Sequence, residues 1–342
     1  MTFYTYAWQY GNKVLTRGIR NGERYIERHN FKPTLYVRSK DQSKFKGLYG
    51  EQLKPIKFES NSDCKEFIEK YDGIENYPIY GQTDLTYQYL SEKYPSDIDF
   101  DLSQMSIWSI DIETTAENGF PSVDNPVEKV LLITVMKNNT KEILTWGEGN
   151  WKPGDETKSL NVTYEPCEDE EELLNKFMTW WANEFPDIIT GWNLQLFDIP
   201  YLVSRIDRLF GNDAKNGLSP FNMTRRRGVK MNNKEYTTYD IKGVTQLDYL
   251  DLYKKFTYTV QESYKLDYIA EVELGKNKLE SGYDTFREFY ENDWNRFIDY
   301  NIIDTKLVDE LEDKMKLIEL IATMCYDAKC NFGDIFSAVR TW

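Results

Sequence analysis

The chain has 342 residues, 15% of them aromatic, enough to bury a sizeable core in one large domain or two ordinary ones. Its 42 basic and 57 acidic residues leave a formal charge of −15, which excludes a protein that coats nucleic acid by bulk electrostatics and makes any phosphate contact local. No apolar run approaches the ~20 residues of a membrane span, and the opening MTFYTYAWQYGNKV lacks the basic-then-apolar order of a signal peptide, so a soluble, intracellular protein without a membrane partner is expected.

Residues 1–101 read as a β-rich N-terminal domain. NKVLTRGIRNGERYIERH places two strands around an Asn21-Gly22 turn, a strong hairpin signal, and KPTLYVRS reads as a further strand. The polar stretch SEKYPSDIDFDLSQ marks the boundary. Beyond it MSIWSIDIETT, EKVLLITVMK and EILTWG predict a three-strand meander with a turn at Asn138-Asn139. Helix and strand then alternate: a helix from about Glu170 to Phe185, the strand DIITGW, the helix IPYLVSRIDRLF closed by Gly211, and the strand GVTQLD. This order describes an α/β domain over residues 102–325 whose sheet has antiparallel and parallel parts and flanking helices. The acidic run Glu168 to Glu172 is expected to be a solvated first turn on the positive end of its helix. In the last helical region Phe297, Tyr300, Ile303, Leu307, Leu311 and Met315 fall at helical spacing, so it is expected to pack on the sheet. Cys64, Cys167, Cys325 and Cys330 form no C-x-x-C pair and read as reduced thiols, with neither a disulfide framework nor a zinc site.

Three places carry acids where a packed element should not. In IWSIDIETT, Asp111 and Glu113 are two apart on a strand and share one face, while Ile110 and Ile112 share the other. The alternative is a strand fraying into solvent. Asp304 lies on or beside the apolar stripe of the last helix, one turn after Tyr300, and buried there it needs a cation, a salt bridge or strong donors. Asp198 in TGWNLQLFDIPYLVSRI directly precedes a helix with proline in its first turn, which suits an N-cap; it also stands at the carboxyl edge of a sheet strand, where α/β sheets build sites. Together the four acids can hold two divalent ions about 4 Å apart, Mg²⁺ or Mn²⁺, for in-line displacement at phosphorus. The only histidine, His29, lies in the front domain, which leaves Tyr300 to orient the water.

These residues carry a resemblance. SIDIETT, TGWNLQLFDIPY and YNIID within DYNIIDTKLVD resemble, in order, the three exonuclease motifs of family B DNA polymerases, most closely the replicative polymerases of T-even-like bacteriophages, and VTQLDYLDLYKKFTYTVQESYKLDYIAE is similar to their wording between the second and third. The resemblance implies a ribonuclease-H-like 3′→5′ exonuclease domain that proofreads single-stranded or frayed primer-template DNA in the host cytoplasm. It implies that Asp111 bridges two metals, that Glu113 and Asp304 complete one, that Asp198 holds the other through water, and that Tyr300 places the attacking water. Phe120 in ENGFPS matches an aromatic that stacks near the primer's terminal base, against an alternative as an ordinary loop-packing ring. Asn193 matches an asparagine at the substrate strand. Lys278 in GKNKLESG has two readings, a phosphate contact or an ordinary surface lysine. Arg225, Arg226 and Arg227 precede a hairpin with Asn232-Asn233 at its turn, where the family moves the frayed end into the site; a solvated basic loop is the other reading. Residues 326–342 would begin a return to the N-terminal domain. The family's S-L-Y-P-S and D-T-D motifs do not occur, so palm, fingers and thumb are expected to be missing, through a natural gene split with a separate polymerase-domain polypeptide or through truncation. A rival expectation is a binding or assembly module, because KPTLYVRSK interleaves aromatic and basic residues as RNA-binding sheets do.

Overall fold

A computed structural model describes residues 1–231 and 234–337, and by its internal contacts the chain forms two units, Met1–Phe100 with the segment from Ala322 on, and Asp101–Ile321. The predicted turn residues Asn232-Asn233 and the last five residues of the predicted return segment lie outside the described residues.

In the first unit β1 (Thr2–Tyr10), β2 (Lys13–Arg20) and β3 (Glu23–Asn30) form an antiparallel sheet. Asn21 and Gly22 turn between β2 and β3 with φ of 53° and 86°, the left-handed pair that a two-residue hairpin requires and that Asn and Gly adopt most readily. A second sheet takes β4 (Thr34–Arg38), β5 (Phe45–Lys46), β6 (Gln52–Lys57) and β7 (Ile79–Tyr80) in the order β5-β6-β4-β7, with α1 (Asn61–Tyr71) and α2 (Leu85–Lys93). Leu35 and Val37 of β4 are buried, Tyr36 packs on Phe45 and Arg38 donates to Tyr80, so Tyr36 and Arg38 of KPTLYVRSK are engaged within the unit. Asn331 pairs with both backbone groups of Ala7, and Tyr326 donates to the Tyr4 carbonyl, which ties the later segment to β1. His29 lies in this unit, stacked on Tyr89.

The second unit is built on β8 (Ile107–Thr114), β9 (Val130–Lys137), β10 (Ile143–Glu148), β11 (Val162–Cys167), β12 (Ile188–Gly191) and β15 (Thr245–Asp248), in the order β11-β10-β9-β8-β12-β15. β8, β9 and β10 are the antiparallel meander; β11, β12 and β15 join in parallel. One face carries Trp108, Ile110, Ile112, Ile133 and Trp146 against α3 (Glu170–Glu184) and α4 (Asp198–Phe210). The other carries Leu132, Met136 and Ile143 against the helices that end the unit. After α5 (Asn212–Gly217), β13 (Thr224–Met231) and β14 (Lys234–Ile241) pair as a separate ribbon, and α6 (Tyr249–Phe256) and α7 (Leu266–Leu274) follow β15. This is a mixed sheet with helices on both faces, a ribonuclease-H-like domain. All four cysteines are buried free thiols, and among the described residues no helix is long and apolar enough to cross a membrane.

Two expectations need correction. The last helical region is three helices, α8 (Phe286–Asn292), α9 (Trp294–Met315) and α10 (Leu317–Ala328). Asp293 caps the start of α9, and Lys316 in the left-handed region ends it, where the Glu312 carboxylate accepts the Ile318 amide and the Tyr249 hydroxyl. Of the expected stripe on α9, Phe297, Leu307 and Leu311 are buried, together with Ile298, Asn301, Ile302, Asp304, Thr305 and Val308, while Tyr300, Ile303 and Met315 are only partly covered. The acidic first turn of α3 is not wholly solvated either. Glu170 is buried and pairs through both oxygens with Arg205 of α4, at 2.8 and 2.7 Å, while accepting the Val130 amide of β9.

Candidate active site

The pleat of β8 decides the first part of the site. Ile110 and Ile112 enter the core beneath α3 and α4, so Asp111 and Glu113 project from the opposite face, toward α9. Both are half-buried, in the half of β8 that runs on past its pairing with β12. The two strands close tightly there: a Cβ on Gly191 would come within 2.6 Å of the Ile110 carbonyl oxygen. The strand is therefore a rigid mount that ends in two carboxylates.

Helix α9 supplies the third acid. Carboxylate oxygens of Asp111, Glu113 and Asp304 lie within 4.8 Å of one another. Burial and then the Asp304 charge push the Asp111 carboxyl up to about 7, against the opposing pull of Lys278 and of Asn301. Burial and both neighbouring acids push Glu113 well above the ordinary glutamate value, and burial raises Asp304 although Lys278 opposes it. Three acids this close call for positive charge. Part of it is already present: Lys278 Nζ donates to Asp304 Oδ2 and to the Tyr300 hydroxyl at 3.2 Å, and it lies 5.1 Å from the Tyr300 ring centroid. Its pKa is accordingly raised, against the effect of burial. Lys278 is thus a partly buried lysine held by site residues, and no contact here is with a phosphate. Asp304 Oδ1 is buried without a hydrogen-bond partner, and an orphaned carboxylate oxygen on a residue of this three-acid group fits a hard cation.

Asp198 enters from the other side of the sheet. Phe197, not Asp198, is the N-cap of α4, and the buried Asp198 carboxylate turns to β8 and accepts the Ile112 amide at 3.2 Å, between Asp111 and Glu113. Burial and then the Asp111 charge raise its pKa well above the aspartate range. It is not one of the three acids that lie within 4.8 Å of each other. Asn193, in the loop before it, adopts a left-handed φ of 66°, which asparagine tolerates.

Phe120 is 86% exposed, with its ring tilted 47° to that of Phe197 at 5.5 Å. Its loop is organised by the buried Glu128, which accepts the Thr115 hydroxyl, the Glu117 and Asn118 amides and the Asn118 side chain. Arg225, Arg226 and Arg227 are exposed on β13; Arg226 pairs with Asp124 at 2.6 Å and Arg227 with Asp240 at 3.1 Å. They do not join the acid cluster in a common set of contacts.

Two residues escaped the sequence reading. Asn301 donates to Asp111 Oδ2 at 2.5 Å, and its signal was its place directly after Tyr300 on a buried helical position. Asp248 accepts the amides of Asn193 and Gln195, and its signal was an acid at a strand's end before a helix, as at Asp198.

A ribonuclease-H-like sheet with clustered acids at the end of its first strand is the framework of polymerase-associated nuclease domains. Residues 78–269 match the family described as DNA polymerase family B, exonuclease domain, and the chain belongs to that family. It is 31% identical to the DNA-directed DNA polymerase of Escherichia phage RB69 and 29% identical to that of Enterobacteria phage T4, in each case over 99% of this chain and 40% of the relative. The DNA polymerase catalytic subunit of Human herpesvirus 6A is 30% identical over 52% of the chain and 18% of its own length. The chain thus spans about 40% of the length of its phage relatives.

Proposed function

We propose that this chain hydrolyses the 3′-terminal phosphodiester of single-stranded or frayed DNA, as the proofreading exonuclease part of a replicative polymerase. The observation that carries the reading is the convergence of Asp111, Glu113 and Asp304 beside a buried, unpartnered Asp304 oxygen. Asp111, Glu113 and Asp304 would hold one divalent cation, Mg²⁺ or Mn²⁺, and Asp198 would serve a second that Asp111 shares. Cations bound there supply charge that activates water and stabilises in-line displacement at phosphorus.

The chain's own groups do the rest. Tyr300 presents its hydroxyl beside Asp304 and Lys278, where it would orient the attacking water by hydrogen bonding. Lys278 holds the Asp304 carboxylate in place and lowers the repulsion among the three acids. Phe120 offers an exposed ring on which the terminal base would stack, and the turn at the left-handed Asn193 would meet the substrate strand.

The test is a 5′-labelled single-stranded oligonucleotide with Mg²⁺ or Mn²⁺. The protein is expected to shorten it stepwise from the 3′ end, and Asp111→Ala to slow this at least about a thousandfold, the equivalent of about 4 kcal/mol of transition-state stabilisation. An intact substrate, or equal rates for the variant, would sink the reading. Phe120→Ala is expected to raise KM for the same substrate by about tenfold with little change in kcat, since a base–aromatic stack is worth about 1–3 kcal/mol. A fall in kcat at constant KM would remove Phe120 from the binding role.

A further inference from the structure

Asp248 ends β15 at the carboxyl edge of the sheet, in register with Gly191 of β12. Its carboxylate is buried, and no cationic side chain pairs with it among the described residues. It is satisfied by three backbone amides: Asn193 at 3.1 Å and Leu250 at 3.0 Å on Oδ1, and Gln195 at 2.9 Å on Oδ2. The Leu250 bond is an ordinary N-cap for α6. The other two cross to the loop that delivers Asp198, and a cap has no need of them.

Apolar packing anchors that loop at Leu194, fully buried in the core, and at Phe197, which stacks on Tyr201; its polar groups have fewer partners. The Asn193 carbonyl accepts the amides of Leu196 and Phe197, both at 3.2 Å, in a tight turn that depends on the left-handed Asn193. The Trp192 indole is anchored to the Tyr264 carbonyl at 3.0 Å. The helix then starts without any side-chain cap, although Asp198 stands in its first turn with its carboxylate on the Ile112 amide. The direction of Asp198 is therefore set by the turn before it, and the amides of that turn are held by Asp248.

We propose that Asp248 is a positioning residue: by clamping the Asn193 and Gln195 amides it fixes the turn that holds Asp198 against β8, and so sets the cation affinity and turnover of the site. The inference rests on the exonuclease reading. Partners that orient a ligating carboxylate change metal affinity or activity by about 10–100-fold when removed.

Asp248→Ser separates clamp from cap, because serine is a good N-cap yet too short to span both loop amides. Asp248→Asn keeps the shape but sets an NH₂ group against at least one of the three amide donors. Both are measured for kcat and KM on a single-stranded oligonucleotide and for Mn²⁺ binding by electron paramagnetic resonance. The reference is Asp169→Ala, which removes the exposed N-cap of α3. Both Asp248 variants are expected to lose at least about tenfold in kcat and in Mn²⁺ affinity at one site, with KM shifting less than either. Asp169→Ala is expected to lose thermal stability alone. If Asp248→Ser matches the wild type within about twofold in both readouts, Asp248 is only a helix cap and the proposal is overturned. A wild-type protein that binds Mn²⁺ but leaves DNA intact would overturn the exonuclease reading instead, and the Mn²⁺ isotherms would still decide the role of Asp248.

Discussion

Glu113→Gln is expected to make the metal-free protein more stable while cutting hydrolysis by at least about a hundredfold. The two effects have one origin. Glu113 sits within 4.8 Å of Asp111 and Asp304 carboxylate oxygens, and its pKa is raised by burial and by both of those charges. Glutamine replaces, at nearly constant shape, a carboxyl that folding obliges either to keep a proton or to bear charge beside two other acids, which is worth on the order of 1–2 kcal/mol and several degrees in melting temperature. The same charge is what a divalent cation would need. In saturating Mg²⁺ the wild type should therefore overtake the variant in stability.

The sign of the pH dependence follows. A carboxyl whose folded pKa is raised keeps its proton in the folded chain at pH values where the unfolded chain has released it. The folded state then binds more protons, and stability falls as pH rises from the unfolded value of about 4. For Asp111 the window closes near its folded value of about 7. Melting curves in EDTA between these limits should show the wild type losing stability relative to Glu113→Gln as pH increases, and Mg²⁺ should flatten the difference. A variant less stable than the wild type without metal at neutral pH would show that the acids are not in electrostatic conflict.

Much of this site is legible in the sequence because strands and helices index their faces in a fixed way. Ile110 and Ile112 demanded one face of β8, so Asp111 and Glu113 had to share the other, and the structure has them there. The meander and the helix–strand alternation followed from apolar runs fully buried on both sides, as in β9. β11 escaped because it is an edge strand, half-exposed and interrupted by Pro166, and such strands lack an apolar signature. The stripe on α9 is legible at Phe297, Leu307 and Leu311 and at Asp304 beside them, but it is wider than apolar spacing shows, because Asn301 and Thr305 are buried too and apolar periodicity cannot count polar residues drawn inward. Lys278 lies 26 positions before Asp304, and nothing local in GKNKLESG reveals that its ammonium reaches the acids. Glu170 shows the opposite failure. One glutamate within an acidic run was buried by a partner 35 positions away.

Glu170→Ala is expected to destabilise the fold by about 3–5 kcal/mol. Glu170 and Arg205 have side chains only 7% and 8% exposed, and their two-point contact joins α3 to α4. Deleting the acid leaves the Arg205 guanidinium buried on the Pro126 and Val127 carbonyls alone, and it also orphans the Val130 amide at the start of β9. The cost is that of an uncompensated buried charge and not the net worth of the pair, so replacing both residues with methionine should cost less than Glu170→Ala by itself. Glu171→Ala, one position along and exposed, should stay within about 0.5 kcal/mol of the wild type. Urea melts of the four proteins check the order. Well below its own melting point Glu170→Ala should retain most of its exonuclease rate, because the pair touches none of the four acids. If it instead lost turnover in step with Asp111→Ala while remaining folded, α4 would have to be transmitting the pair's geometry to Asp198, and the separation drawn between framework and site would be wrong.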